Sequence, residues 1–440
     1  MQEENIVHRP LFKLSILSIS LMTMIAPAIS SALPLMYGSF KGETETAVET
    51  LVTVPNFGII VFFFLSPFVI KLIGGKNTVI FGLLLALVAG IIPVFSNDYA
   101  LVFVSRFLLG SGIGLFNSMC VSLIARFYKG DELSTMMGFQ GATGSLGGAL
   151  GAFLVNWLVT LGWHQTFLIY LIALPIMALF IFCIPRQLLN EGKSVSSSGK
   201  QVSSNSGKQT INLPVWGLSV LIFLVFAFFL ASQLQLPALV TAKKIGSLSQ
   251  VSVLNGITTL FGIPIGAVYG KVSKFLKNLT LSAGFLFAAL GFSLIAFGSD
   301  LLIVGLGAIV SGVGFGLMVP SIYVWMAKVA PKNSENLAST VLLVTTNIGV
   351  FACPTILNFL GGLFWTAGAQ SSMLVAMIAF IVMFVIPIFL AVTKAGSCNW
   401  EARKNAKTKK IKTDSPQTGR LIVCLPEFED TCFPEEETLL

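Results

Sequence analysis

Along most of this chain apolar residues run together for about twenty positions before a cluster of charge or a turn residue interrupts them, and a bilayer core needs a helix of about that length. Twelve such runs stand at about 11–37, 50–73, 78–95, 100–127, 134–158, 166–184, 214–238, 250–270, 279–297, 301–329, 336–363 and 370–393. They predict twelve transmembrane helices. The first run follows Glu3 and Glu4, is longer than the core of a signal peptide and ends without a clear cleavage site, so it reads as a retained first helix. Composition agrees: with 55% apolar and 10% charged residues, the 440-residue chain has too little polar surface for a water-soluble globule, and a soluble enzyme is excluded.

Charge adds an orientation. With the N-terminus inside, the loops and tail on that side hold 23 of the 27 Lys and Arg residues, and the opposite side holds Lys41, Lys243 and Lys244. Basic residues retained on the cytoplasmic side then place both termini in the cytoplasm of a multi-pass cell-membrane protein, with the Lys243-Lys244 pair as a local exception. The net charge of +8 belongs to this topology and not to nucleic acid, which is not expected as a partner. Cys120, Cys183 and Cys353 fall in apolar runs and Cys398, Cys424 and Cys432 in the tail, without metal-ligand spacing, so no metal and no cofactor are expected.

Between the sixth and seventh runs the chain turns Ser/Gly/Lys-rich, with Ser-Gly-Lys-Gln at 198–201 and again at 206–209, the composition of a flexible linker. The expected division is a first six-helix half at 1–185, a linker at 186–213, a second half at 214–393 and a disordered cytoplasmic tail at 394–440. The basic stretch Arg403 to Lys412 could meet anionic lipid. Shifting the chain by about two hundred residues lays Gly110, Gly112 and Gly114 on Gly312, Gly314 and Gly316, and a nearby shift lays Lys71 on Lys271. Two related halves imply a substrate site at their interface, near the bilayer midplane.

On these spans no carboxylate lies deep in a helix, with Glu49 at the border of the second, and the charge inside a helix is Arg106, some six residues from the outer surface. A guanidinium there needs a role or a water-filled cavity. It would suit a carboxylate or sulfonate substrate; the alternative is a structural bond to helix-end carbonyls.

Arg106-Phe-Leu-Leu-Gly110-Ser-Gly112-Ile-Gly114 resembles the fourth-helix motif of the major facilitator superfamily, in its drug-exporter-like twelve-helix branch, and the likeness covers roughly residues 10–394. Gly162-Trp163-His164-Gln165-Thr166-Phe167 is similar to the family's Gly-Trp-Arg-x-x-Phe before helix six. The loop after helix two, Ile70-Lys71-Leu72-Ile73-Gly74-Gly75-Lys76, carries Ile70 where the family has a gating aspartate. Gly141 to Gly148 in helix five resembles the glycine motif of proton-coupled exporters without its proline, with Gly144 and Gly148 as its packing glycines. The resemblance implies an all-α fold of twelve helices in two pseudo-symmetric halves, alternating access, and Arg106 in a cavity linked to proton movement. It also implies that Asn117, Gln140, Gln233, Gln235, Tyr323, Trp325 and Asn347 lie on path-lining helices, each with an interhelical hydrogen bond as its alternative role.

Without an intramembrane acid, the favoured function is a carrier of an amphipathic organic anion or neutral solute, by exchange or facilitation. A proton-coupled multidrug exporter comes second, so a coupling proton stays open as a partner, and a non-transporting receptor comes third. A membrane enzyme would need clustered His, Asp or Glu in helices, which the sequence lacks. The expected partners are a small-molecule substrate and membrane lipid, and the expected assembly is a monomer.

Overall fold

Helix ends in this chain are set by caps that satisfy the first free backbone donors. Thr44 accepts from Ala47 N at 3.2 Å, Asp98 from Ala100 N at 2.8 Å, and Asn212 from Val215 N at 3.3 Å. A computed structural model of the protein describes residues 10–184, 210–276, 279–331, 334–364 and 368–385. These helices are α1 Pro10–Ser39, α2 Glu45–Ile73, α3 Gly75–Val94, α4 Tyr99–Phe127, α5 Gly130–Leu158, α6 His164–Cys183, α7 Leu213–Ala242, α8 Leu248–Leu276, α9 Thr280–Phe297, α10 Leu301–Val329, α11 Glu335–Phe364 and α12 Ala369–Val385. Among the described residues ten of them, all but α8 and α12, are long and apolar enough to cross a membrane by the strictest reading. The described chain contains no strand. The twelve expected helices are therefore present and the fold is all-α; the tail at 394–440 and the linker up to residue 209 lie outside the described residues.

Two helices depart from the expectation. Capped by Thr44, α2 begins at Glu45 and not near 50, which draws Glu49 into its second turn. α1 is tightly wound over Met22–Met24 and Ala26–Ala32, where Pro27 removes a backbone donor, and regains α geometry at Leu33–Ser39.

Tight approaches hold the helices together. A Cβ on Gly110 of α4 would stand 1.9 Å from Pro55 O of α2, and one on Gly112 would stand 2.5 Å from Gly82 O of α3. About two hundred residues later the arrangement recurs: Gly312 of α10 lies against Thr258 of α8, and Gly314 lies 2.6 Å from Gly284 O of α9 by the same measure. The glycine register read from the sequence is thus the contact register of two related six-helix sets. Gly110→Val forces backbone apart on α2, and loss of folded protein is expected, seen as aggregated material in detergent gel filtration; overpacking of even a tolerant core costs about 1–3 kcal/mol.

Gly74, at φ +81°, ends α2 and starts α3, a conformation open to glycine at little cost. It leaves Lys71 exposed and turns Lys76 inward, where its ammonium donates to Ile181 O at 2.8 Å and to Ile184 O, at the end of α6. The lysine expected in the gating loop therefore caps a helix C-terminus. Lys271, its counterpart loop cation, is exposed.

Candidate functional site

The helices alternate in direction, so two faces can be told apart: the Thr44 face, where α2 begins, and the Lys71 face, where it ends. α2 and α11 run antiparallel along the seam between the first six helices and the last six. Their contacts keep one register. Asn358 Nδ2 donates to Thr46 Oγ1 at 3.0 Å, two turns further in Thr53 Oγ1 donates to Phe351 O at 3.3 Å, and Phe57 stacks on Phe351 with centroids 5.3 Å apart.

Glu49 sits on that same face of α2 and has no exposed surface. Its Oε1 accepts from Tyr37 Oη of α1 at 2.9 Å and from Gln235 Nε2 of α7 at 2.7 Å; its Oε2 accepts from Asn358 Nδ2 of α11 at 2.8 Å. Four helices, two from each set, meet on one carboxylate. The residue expected at the border of the second helix thus lies in its second turn, enclosed by neighbouring helices. The physical reason is the Thr44 cap, which starts α2 early, together with the cover that α1, α7 and α11 supply. The signal was present in the sequence: Thr44 followed at once by acidic Glu45 marks a helix start.

A second seam joins α5 to α8, again antiparallel. Ser249 donates to Asn156 Oδ1, Gly256 packs against Ala152, and Gly148 packs between Met24 O of α1 and Thr259. All these contacts belong to the halves of α5 and α8 nearer the Thr44 face. Nearer the Lys71 face, a Cβ on Gly138 or Gly141 of α5, or on Gly270 of α8, would meet nothing within 4 Å among the described residues. Gly144, between the two regimes, lies 3.4 Å from Thr23 Oγ1 by the same measure.

Arg106 is elsewhere. It is fully buried within the first set, where Nε donates to Leu51 O at 2.9 Å, Nη1 to Tyr170 Oη at 2.5 Å and Nη2 to Ala26 O at 3.3 Å. The guanidinium also lies over the Phe167 and Tyr170 rings, 5.6 and 5.5 Å from their centroids. It ties α4 to α1, α2 and α6. Ala26 begins the tightly wound stretch of α1.

Of the other expected site residues, the structure brings Gln235 onto Glu49. Asn347 donates to Leu343 O of its own helix at 2.9 Å. Trp325 lines a cleft of about 210 Å³ with Tyr269, Ser273, Thr280 and Ser321, between the Lys71-side ends of α8, α9 and α10. Asn117, Gln140, Gln233 and Tyr323 are half-buried on α4, α5, α7 and α10. Sequence reasoning missed Tyr37, Thr46, Thr53, Phe57, Phe351 and Asn358. Near the Lys71 face, Lys13 of α1 pairs with Glu132 of α5 at 2.7 Å and stands 5.3 Å over the Tyr128 ring. Burial and the Glu132 carboxylate push the Tyr128 phenol up to about 12, so it stays neutral at physiological pH.

Comparison with known proteins places these features in a wider group. The family model described as Major Facilitator Superfamily matches residues 14–354 and again 221–422. Protein TsgA of Salmonella schwarzengrund is 24% identical over 213 residues, covering 47% of this chain and 52% of that protein, and TsgA of Shigella dysenteriae is 22% identical over the same length. The chain thus spans about half the length of the curated relatives it matches. Among solved structures, a mutant of the nucleoside transporter NupG superposes with a TM-score of 0.69 at 11% identity, over 86% of this chain and 99% of that one. The human organic anion transporter MFSD10 superposes at 0.60 and 16% identity, over 86% and 100% of the chains, and a POT family transporter with a thioalcohol-conjugated peptide at 0.66 and 15%, over 88% and 96%. At such identities the likeness is one of fold.

Proposed function

We propose, for a chain that belongs to the Major Facilitator Superfamily and is a multi-pass membrane transporter, that it carries a small uncharged organic solute by alternating access. In this reading the Thr44 face lies outside the cell, both termini lie in the cytoplasm, and one chain is the working unit.

The observation that carries the reading is the one-sided closure of the two seams. α2 meets α11 and α5 meets α8 through residues in the Thr44-side half of each helix, while nearer the other face a Cβ on Gly138, Gly141 or Gly270 would meet nothing within 4 Å among the described residues. Rocking one six-helix set against the other about the middle of the seams would open the Thr44 face and close the Lys71 face. The state described is then the one shut to the outside. Sidedness rests on the lysine and arginine asymmetry, and its local exception has a physical account. Lys243 donates to Ala296 O at 2.8 Å and Gly298 O at 3.0 Å, at the C-terminus of α9, where a cation is favoured.

The uncharged substrate follows from what flanks the closed seam. Directly beneath the Thr53 bond lie Phe57, 44% exposed, and Phe351, with Asn56 and Asn347 on the same two helices. Aromatic faces and amides suit a flat, hydrogen-bonding, neutral solute. An organic anion would draw on Arg106, whose donors are spent inside the first set. The exporter reading gains a buried acid in Glu49, but one sealed within the closed face.

A solute panel tests this on detergent-purified protein, since ligands of the folded state raise its melting temperature. Uncharged aromatic and amide-bearing solutes are expected to stabilise the protein and to equilibrate across proteoliposomes, with Phe57→Ala and Asn347→Leu each weakening the shift. Stabilisation by organic anions or lipophilic cations alone would sink the uncharged-solute reading. Binding without flux would make the chain a receptor.

A further inference from the structure

We propose that Glu49 is a proton-binding latch: the carboxyl group takes up a proton from the medium at the Thr44 face as α7 and α11 close over it, and releases it when they withdraw. This rests on the alternating-access reading and adds a ligand, the proton, and a site for it.

The argument is geometric. In the closed state the carboxylate has no exposed surface, and its three partners, Tyr37, Gln235 and Asn358, are neutral donors. The titratable groups that face it are Tyr37 on α1, Glu45 one turn earlier on α2 and the Cys353 thiol on α11; α7 presents Gln235, an uncharged amide. None of these supplies a positive charge. A carboxylate fully enclosed in protein without a cation is costly, and binding a proton removes that cost. The two oxygens are unequal: Oε1 accepts two hydrogen bonds and Oε2 one. The proton therefore sits on Oε2, and the bonds from Tyr37 and Gln235 to Oε1 are kept.

Opening removes Gln235 and Asn358 together, because both belong to the last six helices. Glu49 then faces water with Tyr37 as its remaining partner, and in water a carboxylic acid ionises. Acid outside thus favours the closed state and alkali the open one. For one proton, the closed-to-open ratio changes by at most about tenfold per pH unit.

The test uses the full chain in lipid nanodiscs, with the six native cysteines replaced and spin labels at Glu43→Cys and Leu363→Cys, exposed positions beside the Thr44-side ends of α2 and α11. Between about pH 8 and pH 5, the label pair is expected to shift from a long to a short distance. Glu49→Gln, a neutral isostere of the protonated acid, should hold the short distance at both ends of the range. An infrared difference spectrum between the same two conditions should show a carboxylic C=O band that Glu49→Gln lacks. The infrared measurement on the unsubstituted side chain stands even if that variant folds poorly. A label distance indifferent to pH, a Glu49→Gln protein that still responds, or a band that survives the substitution overturns the latch. Flux of the uncharged solutes, measured on the same preparation, separates the two readings. Flux through a pH-indifferent gate overturns the latch and leaves the carrier; absence of flux for every solute class overturns the carrier on which the latch rests.

Discussion

Bridging Thr46→Cys to Asn358→Cys with a short bis-thiosulfonate reagent, which joins the two thiols through reducible disulfides, in protein freed of native cysteines, is expected to reduce solute flux in proteoliposomes to that of empty vesicles. The two side chains already touch, Asn358 Nδ2 lying 3.0 Å from Thr46 Oγ1 across the seam. A covalent link at that point removes the open state from the ensemble, and a carrier confined to one state moves nothing. A matched bridge between Lys13→Cys and Glu132→Cys, which joins α1 to α5 inside the first six-helix set, should leave flux intact because rocking carries both helices together. Cleaving the bridge with reductant should restore transport in the first case. Full flux through quantitatively bridged Thr46 and Asn358 would mean that this seam does not open, and alternating access about it would have to be abandoned.

The other large effect concerns Arg106. Replacing it with Leu removes the donors to Leu51 O, Ala26 O and Tyr170 Oη, all on buried residues. A buried acceptor left unsatisfied costs about 1–3 kcal/mol, and three share this site, so a loss of several kcal/mol and a steep fall in melting temperature are expected. Arg106→Lys should recover only part of it, since one ammonium lacks the planar fork that reaches three acceptors on three helices. The fall should be the same whichever solute is present. A protein of unchanged stability that had lost affinity for organic anions alone would instead return Arg106 to the substrate path and revive the anion carrier.

Glu49 and Arg106 mark how far the sequence could be read at the candidate site. Both were visible as ionisable residues in or beside apolar runs. Arg106 drew attention because a charge amid hydrocarbon needs a reason, and structural bonding to carbonyls was one of two roles open to it. Glu49 was left at a boundary because a hydropathy run dates the start of α2 from its apolar residues, while the helix begins at Glu45, five residues earlier, behind the Thr44 cap. Gln235 was correctly singled out as polar within a helix, but its partner lies 186 residues away, and Asn358 lies 309 residues from the same carboxylate.

By itself the sequence determined the solvent, the twelve helices, the glycine register that repeats between the two sets and the resemblance to the superfamily, which the comparison bore out at that level and not at the level of a drug-exporter-like branch. Those properties are local or additive: a run of about twenty apolar residues spans a bilayer whatever its neighbours are, and a glycine spaced for close packing keeps its spacing in any copy of the motif. Only the tertiary structure decided that Glu49 is enclosed, that Arg106 is spent within one set of helices, and that the seams meet on the Thr44 side. Those outcomes depend on how far each helix is rotated and at what depth it crosses its partner. A rotation of one residue, roughly 100° at 3.6 residues per turn, moves a side chain from seam to lipid without changing any hydropathy average.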